Sequence, residues 1–257
     1  MPAPILTLTT DFGLSDHYVG SMKGVILGIC PRAQIIDISH QVNAYAIAEG
    51  GFTIAQAYRY FPRGTVHVVV VDPGVGSPRR PILVEAAGQY FVAPDNGVLG
   101  MIFAREKHRV RVISNTRYFR HPVSQTFHGR DIFAPVAAHV AAGVAPSRIG
   151  KIIPDYVRPA FERPSQTGPR SWAGQILKVD HFGNIVTNFA ADDFPALEEL
   201  AIGGARARRL VRSYEEARAR ELVVIAGSSG YLEVSMKQGS AAKKIGCRSG
   251  GACRIRV

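Results

Sequence analysis

The first part of the chain alternates between two hydrophobic patterns. Continuous apolar or β-branched runs predict buried strands, and apolar residues spaced three or four positions apart predict helices between them. The predicted strands are 5–10, 34–39, 65–72, 81–87, 89–94 and 109–114. The predicted helices are 16–30, 44–61, 98–106 and one around 129–143. Strands and helices in alternation are typical of an α/β domain.

Two segments refine this prediction. Residues 65–72, TVHVVVVD, form an almost uninterrupted β-branched run, which indicates a strand buried on both faces and therefore central in its sheet. The runs PILVEAA and QYFVAP meet near Gly88, which predicts an antiparallel hairpin. We therefore expect an N-terminal sheet of mixed strand directions sandwiched by helices.

The pattern changes after residue 155. Residues 156–172 concentrate proline and polar residues without periodicity, so we predict a linker there, between an α/β domain at 1–155 and a second domain at 173–257. The second domain offers short strand candidates separated by turn residues; they are 174–180, 184–189, 208–211, 222–227, 231–236 and 253–257. This pattern predicts a small all-β barrel or sandwich.

Composition narrows the class of protein. A chain of 257 residues with 46% hydrophobic and 20% charged residues is expected to be globular. It has no apolar stretch of the ~20 residues that cross a bilayer, and its first residues, MPAPILTLTTDFG, lack the layout of a signal peptide, so we expect a cytoplasmic protein that binds no membrane. Its three cysteines have no metal-ligand spacing, and we expect free thiols.

The formal charge of +11 raises the alternative of nucleic-acid binding, because clustered Lys and Arg neutralise phosphates. The basic residues lie partly in RARRLVR, partly in KHRVRV and partly alone, with no aromatic residues between them. This distribution favours a dispersed, solvated charge. A basic module that binds adenosine or RNA without catalysis remains an alternative, and it predicts salt-sensitive binding without turnover.

Several polar residues fall at the ends of predicted strands, at the edge where α/β sheets usually bind ligands. Asp11 and Asp72 both have this placement. The segment DPGVGSPRRP combines Asp72 with two glycines, Arg79 and Arg80, and it is explained equally well as a ligand loop or as a plain turn with solvated arginines. Asp11 alone is explained as a helix cap.

Other polar residues also have ordinary explanations. His128 precedes an apolar helix, where a single histidine serves as a cap or a core residue. Asn184 and Ser228 belong to residue types that form turns. The chain shows neither a nucleophile elbow nor a zinc motif. Composition and spacing alone therefore predict a two-domain enzyme whose substrate is unidentified.

Six segments in order carry more information: TTDFGLSDHYVGSMKG, YFPRGTVHVVVVDPGVGSPRRP, PDNGVLG, FHGRDIFAP, DHFGNIVTN and GSSGYLEV. Together they resemble the S-adenosyl-L-methionine hydroxide adenosyltransferase family, which is related to fluorinating and chlorinating enzymes. The likeness extends from about Ile5 to the C-terminal strand. It implies that water or hydroxide splits S-adenosyl-L-methionine into adenosine and L-methionine, with no metal and no cofactor.

The resemblance also implies an architecture and a catalytic group. The architecture is an N-terminal mixed sheet between helices, a C-terminal β-barrel, and a homotrimer with active sites between the N-terminal domain of one subunit and the C-terminal domain of its neighbour. Asp72, Arg79 and His128 match the family's Asp, Arg and His triad. We choose Arg79 over Arg80 because of its spacing from Asp72, which is the family's.

Further matched positions are implied to bind substrate. Asp11 matches a contact with the ribose hydroxyls, where a carboxylate can accept two hydrogen bonds. Tyr45 stands where the fluorinating relatives have a tryptophan against the ribose. The other implied substrate-binding residues are Asp16 and Asp180 near the amino-acid end, Asn184 and Ser228 as polar contacts, and Phe127, Tyr231, Glu233 and Met236.

The sulfonium of this substrate makes methionine a good leaving group, so what the reaction lacks is a nucleophile. Water has a pKa of about 15.7, and Arg79 beside it would favour hydroxide while Asp72 and His128 hold or relay the proton. Halide transfer is the alternative, since Gly129 resembles the chlorinating type. The halogen-transferring relatives carry tyrosines in place of the aspartate and histidine, so Asp72 and His128 favour hydrolysis.

Overall fold

The computed structural model describes residues 2–159 and 163–257. The chain forms two compact units, Met1–Phe161 and Glu162–Val257. The linker that we predict at 156–172 lies partly outside the described residues, because 160–162 are not described. Residues Ser165–Gly168 within it form a strand, so this part of the prediction is wrong. This strand pairs with Ser171–Val179. The pairing explains why a polar sequence without periodicity forms a strand here.

The strands of the first unit are β1 (Ile5–Thr10), β2 (Gln34–Ser39), β3 (Val66–Val70), β4 (Pro81–Ala86), β5 (Gln89–Pro94) and β6 (His108–Val112). They form one sheet in the order β2-β1-β3-β5-β4-β6. β1, β2, β3 and β5 are parallel, and β4 runs antiparallel to both β5 and β6. The predicted mixed sheet is thus confirmed, and β3, which is buried throughout, is an inner strand.

The helices of the first unit are α1 (Tyr18–Ile29), α2 (Ile47–Ala57), α3 (Gly100–Arg105), α4 (Ala134–Ala141) and α5 (Pro146–Ile149). Short 3-10 turns lie at Tyr58–Tyr60 and Thr116–Tyr118, and one turn of π-helix, Gly129–Phe133, leads directly into α4. None of the described helices has the length and apolar character that a membrane span requires.

Helices cover both faces of this sheet. Val68 of β3 belongs to the same buried cluster as Met22 of α1 and Val136 of α4, so α1 and α4 cover one face. Gly50 of α2 packs closely on Val71, which directly follows β3. Because side chains alternate between the two faces of a strand, Val71 lies on the face opposite to that of Val68, so α2 covers that second face. The helix predicted at 44–61 begins only at Ile47, because Tyr45 has a positive φ of 66°.

The strands of the second unit are β7 (Ser165–Gly168), β8 (Ser171–Val179), β9 (Ile185–Ala190), β10 (Glu199–Ile202), β11 (Ala205–Ala207), β12 (Leu210–Val211), β13 (Leu222–Ala226), β14 (Tyr231–Met236) and β15 (Ala252–Arg256). They form a curled half-barrel in the order β11-β10-β15-β8-β9-β14-β13-β12, with β7 beside β8. Its core includes Phe189, Val224, Val234 and Ile255. The unit is not wholly β, since it also contains the helix α6 (Ala241–Ile245) and 3-10 turns at Ala191–Asp193 and Tyr214–Glu216.

Candidate active site

A buried ion pair lies beyond the carboxyl end of β3. Arg79 donates from Nε to Asp72 Oδ1 at 3.1 Å and from Nη2 to Asp72 Oδ2, which makes the pair bidentate. The side chains of Arg79 and Asp72 are only 9% and 4% exposed. The loop between β3 and β4 therefore folds back so that Arg79, near its end, pairs with Asp72, near its start.

Glycine makes this loop possible at one position. Gly76 has φ of +79°, and a Cβ there would lie 2.5 Å from the backbone oxygen of Gln125. Any other residue would combine an unfavourable backbone conformation with a steric clash. The loop can thus pack closely against the segment that leads to His128.

His128 completes the group from a distant part of the chain. Its Nδ1 lies 2.8 Å from Nη2 of Arg79. Because a guanidinium has only donors, Nδ1 must be the acceptor, so His128 is neutral and carries its proton on Nε2. Burial and the positive charge of Arg79 lower the pKa of His128 below its usual 6.5, although the carboxylates of Asp72 and Asp131 raise it. The hydrogen bond and the pKa thus agree on a neutral imidazole.

Arg79 keeps one donor group unused within the part of the chain that the structure describes. Its Nη1 is buried and has no hydrogen-bond partner among those residues. The guanidinium also lies 5.2 Å from the ring centroid of Phe133. An unsatisfied buried donor typically costs about 1–3 kcal/mol, so such a group indicates a functional site.

Arg80 has different partners. Its Nη2 donates to Asp95 Oδ2 at 2.9 Å, and its Nη1 lies 3.1 Å from Asp155 Oδ2. The structure therefore brings Arg79, and not Arg80, to Asp72 and His128.

The residues around His128 are tightly packed. Phe127 is buried, with ring centroids 6.1 Å from Phe12 and 5.1 Å from Tyr18. A Cβ on Gly129 would lie 3.2–3.3 Å from Met22, Phe12 and Phe127, so a larger residue there would push these side chains apart.

The segment also contains a buried carboxylate that sequence reasoning missed. Asp131 is 0% exposed and accepts hydrogen bonds from Arg130, Arg120 and the backbone of Ser124. The signal in the sequence was weak, because an aspartate before an apolar helix is usually a cap.

Asp11 and Tyr45 meet at another place in the first unit. Asp11 Oδ2 accepts a hydrogen bond from the backbone nitrogen of Tyr45 at 2.9 Å, and this bond holds the positive-φ backbone of Tyr45. The Tyr45 ring is 72% exposed. Asp16 lies on the surface before α1, where its carboxylate is 3.5 Å from Ser15 Oγ. The contacts of Asp16 thus do not join it to Asp11.

In the second unit, Asp180 and Asn184 close one turn. Asp180 Oδ1 accepts from the backbone nitrogens of Phe182 and Asn184 at 2.9 and 2.8 Å, and Oδ2 accepts from the Asn184 side chain at 2.9 Å. Asn184 is buried, while the Phe182 ring is 74% exposed. The turn explanation for Asn184 is therefore correct, and it does not exclude a ligand role.

Glu233 is a buried carboxyl on β14. Burial raises its pKa above the ordinary value, and the charge of Asp180 raises it further. A Cβ on Gly227 would lie 1.9 Å from Glu233 Oε1, so glycine makes room for this carboxyl. Burial, Glu233 and Asp180 also raise the pKa of Tyr214, which the sequence did not single out. Two carboxyls that repel each other are suited to a positively charged ligand.

The three other candidates of the second unit lie nearby in sequence but differ in exposure. Ser228 is exposed in the turn between β13 and β14. Tyr231 and Met236 are half-buried at the two ends of β14. The structure thus places Tyr231, Glu233 and Met236 on one strand.

Charged side chains that are buried together where strands of a mixed sheet end are characteristic of enzymes, and we place the chain in that class. Sequence models of the SAM hydroxide adenosyltransferase N-terminal and C-terminal domains match residues 6–150 and 174–254. The chain belongs to this family.

Individual relatives agree with that placement. The chain is 34% identical to a protein from Salinispora tropica named (R)-S-adenosyl-L-methionine hydrolase, over 99% of this chain and 98% of that protein. It is 30% identical to a fluorinase from an Actinoplanes species, over 82% of this chain and 80% of the fluorinase. The crystal structure of an uncharacterized conserved protein from Thermotoga maritima is similar with a TM-score of 0.90 at 36% identity, covering 98% of this chain and 100% of that one.

Proposed function

We propose that this protein hydrolyses S-adenosyl-L-methionine to adenosine and L-methionine. The observation that carries the proposal is the buried Nη1 of Arg79, which donates to no described residue while Asp72 and His128 hold the rest of the guanidinium. The name of the Salinispora relative supports the substrate.

Arg79 activates the nucleophile in this proposal. A water that accepts a hydrogen bond from Nη1 turns a lone pair towards the arginine and its positive charge. That charge stabilises hydroxide relative to water, and it acts strongly because the group is buried. Asp72 and His128 keep the guanidinium in one orientation, so no reorganisation is needed during the reaction.

The displacement is one step. The oxygen forms a bond to the 5′ carbon while the bond from that carbon to sulfur breaks, and the electron pair goes to sulfur to give the neutral thioether of methionine. The proton of the water goes to Asp72, whose carboxylate has lone pairs beyond the two that Arg79 uses. His128 is less suited to accept it, because Nδ1 already accepts from Arg79.

Substrate binding is assigned to the remaining candidates. Asp11 keeps Oδ1 for the ribose hydroxyls while Oδ2 holds the backbone of Tyr45. In the second unit, the carboxyls of Asp180 and Glu233 favour the positively charged amino-acid end of the substrate, because a cation offsets the burial and the repulsion by Asp180 that raise the pKa of Glu233. Asp16, Phe127, Asn184, Ser228, Tyr231 and Met236 complete the proposed contacts.

We also propose that the enzyme works in the cytoplasm as a homotrimer and needs neither a metal nor a cofactor. The family resemblance of the six sequence segments supports the trimer and a reaction without metal or cofactor, and the cytoplasmic location is the expectation from the hydrophobic pattern of the sequence. Sedimentation of the purified protein tests the trimer, and activity after treatment with chelator tests the metal.

The test of the reaction is incubation of the purified protein with S-adenosyl-L-methionine in ¹⁸O-labelled water, with and without chloride. Products are separated by chromatography and identified by mass spectrometry. Adenosine with the label at its 5′ oxygen, formed equally without chloride, is the expected result. Chlorinated adenosine would instead establish halide transfer, and absence of any product would refute the proposed activity.

A further inference from the structure

Asp131 is a fully buried charge close to His128 in the chain. Its carboxylate accepts hydrogen bonds from Arg130 Nε and Nη2 at 2.7 and 2.8 Å, from Arg120 Nη1 at 3.3 Å and from the backbone nitrogen of Ser124 at 2.9 Å. Burial by itself would raise the pKa of Asp131, but the bonds from Arg130 and Ser124 lower it below the ordinary value. The carboxylate is therefore ionised at neutral pH.

These bonds connect the two ends of the segment that contains His128. Arg120 and Ser124 lie before His128, and Arg130 lies after it. The backbone nitrogen of Arg120 also donates to the backbone oxygen of Asp131 at 2.9 Å, which closes the segment a second time. The Arg130 guanidinium, held by Asp131, lies 4.9 Å from the ring centroid of Phe127, beside His128. Asp131 thus restrains the backbone on both sides of the imidazole.

The local backbone supports the same conclusion. His128 immediately precedes the single turn of π-helix at Gly129–Phe133, and Asp131 lies in the middle of that turn. Such turns are rare and are frequently found at functional sites. The turn puts Asp131 where its carboxylate can reach back to the backbone of Ser124, whose backbone also interacts with His128.

We propose that Asp131 is a positioning residue that fixes the imidazole of His128 with Nδ1 facing Arg79. It acts through His128 and the loop, not on the substrate. The proposal rests on the proposed function for its kinetic readout, but the orientation of His128 can be measured without turnover.

The test compares Asp131→Asn with Asp95→Asn. Asp95 is a matched control, because it is a buried aspartate of the same unit that accepts from an arginine, Arg80, and from the backbone nitrogen of Val157. Both variants remove a buried carboxylate charge, so a comparable loss of thermal stability is expected from both. Only Asp131→Asn should change the state of His128.

Nitrogen NMR of the histidine rings gives the first readout. In the unchanged protein, His128 should be the neutral form with its proton on Nε2, and Asp131→Asn should give a mixture of the two neutral forms. In turnover, Asp131→Asn should lower kcat by roughly ten- to hundredfold, the range for groups that orient a catalytic side chain, with little change in KM.

The pH profile gives the second readout. The charged groups that face His128 are Arg79, Asp72 and Asp131, and the Asp131 carboxylate raises the His128 pKa. Asp131→Asn should therefore move the acid limb of kcat to lower pH, whereas Asp95→Asn should leave it in place. An unchanged tautomer of His128 in Asp131→Asn would overturn the proposal, and so would equal losses of kcat in the two variants.

If Asp131→Asn does not fold, Arg120→Met replaces it. Arg120 is 47% exposed, and the change removes one of the donors to Asp131 while leaving the carboxylate in place. A smaller change of the His128 tautomer in the same direction is expected, and no change would overturn the proposal. Lack of turnover in the unchanged protein would refute the proposed hydrolysis, while the NMR comparison would still decide the role of Asp131.

Discussion

Replacing His128 with asparagine separates two roles that the imidazole could have. In asparagine, Oδ1 is attached to Cγ as Nδ1 is in histidine, so it can accept the hydrogen bond from Arg79 Nη2 that spans 2.8 Å here. Asparagine cannot take up or release a proton at neutral pH. His128→Ala is the matched variant that removes the acceptor altogether.

The size of each effect follows from the contacts of Arg79. A hydrogen bond that involves a charged group contributes about 1.5–3 kcal/mol, so His128→Ala should lower kcat by roughly 10- to 150-fold. His128→Asn keeps that bond, and kcat should stay within about tenfold of the unchanged protein.

The pH dependence is the sharper readout. Burial and Arg79 lower the pKa of His128, so the neutral imidazole persists through neutral pH and kcat falls only on the acid side of 6.5. Protonation there turns an N–H of Nδ1 towards the donor of Arg79 and breaks the contact. His128→Asn should lack this acid limb.

Initial rates at saturating S-adenosyl-L-methionine from about pH 5 to about pH 9 test this reasoning, because kcat reports the pKa values of the enzyme–substrate complex and leaves out the pH dependence of KM. If His128→Asn is as slow as His128→Ala, the imidazole transfers a proton and is more than an acceptor for Arg79. If the acid limb survives in His128→Asn, it belongs to another group and our assignment of the limb is wrong.

Three further outcomes are expected. Arg79→Ala should lower kcat by about 10²–10³-fold, while substrate binding measured by calorimetry is retained. Arg80→Ala, at the adjacent residue, is the control and should leave kcat near the wild-type value. Unchanged turnover in Arg79→Ala would refute the role of Arg79. Glu233→Gln should raise KM about tenfold, because it removes the negative charge that binds the substrate. In the wild-type protein the raised pKa of Glu233 means that the carboxylate is protonated, and KM rises, as the pH falls, whereas KM of Glu233→Gln should not depend on pH. The same pH dependence of KM in both proteins would contradict this. His67 is buried, and burial lowers its pKa from 6.5 to about 4, so the unfolded chain takes up a proton before the folded protein does as the pH falls. The free energy of unfolding, measured by urea titration, should therefore fall by roughly 3 kcal/mol between pH 6.5 and pH 4. The same pH dependence in His67→Gln would exclude His67 as the cause.

Much of the first unit could be predicted because its pattern is strong. The run TVHVVVV is buried on both faces in β3, and the hairpin at Gly88 follows from a glycine with φ of +74°. The second unit was harder. The missed strands β7, β10 and β11 have three or four residues each and include polar positions such as Gln166 and Arg206, so their order comes from pairing with neighbouring strands.

The site could be predicted only in part for a similar reason. Asp72 follows a recognisable strand, so its place at the sheet edge was visible, but the choice between Arg79 and Arg80 came from the family resemblance. His128 by itself was explained as a cap or a core residue, and Asp131 was not singled out. The role of His128 depends on a contact with Arg79, which is 49 positions away in the sequence, and the role of Asp131 depends on a contact with Arg120, 11 positions away. The local sequence pattern does not predict such contacts.

The different partners of Arg79 and Arg80 restrict how the loop before β4 can change. The two residues are adjacent, yet one joins Asp72 and His128 while the other joins Asp95 and Asp155. Loss of one residue between Asp72 and Arg79 would bring Arg80 to His128 and leave Asp95 without its partner, whereas gain of one residue would put Pro78 where Arg79 now lies. The length of this loop must therefore stay constant during evolution or engineering.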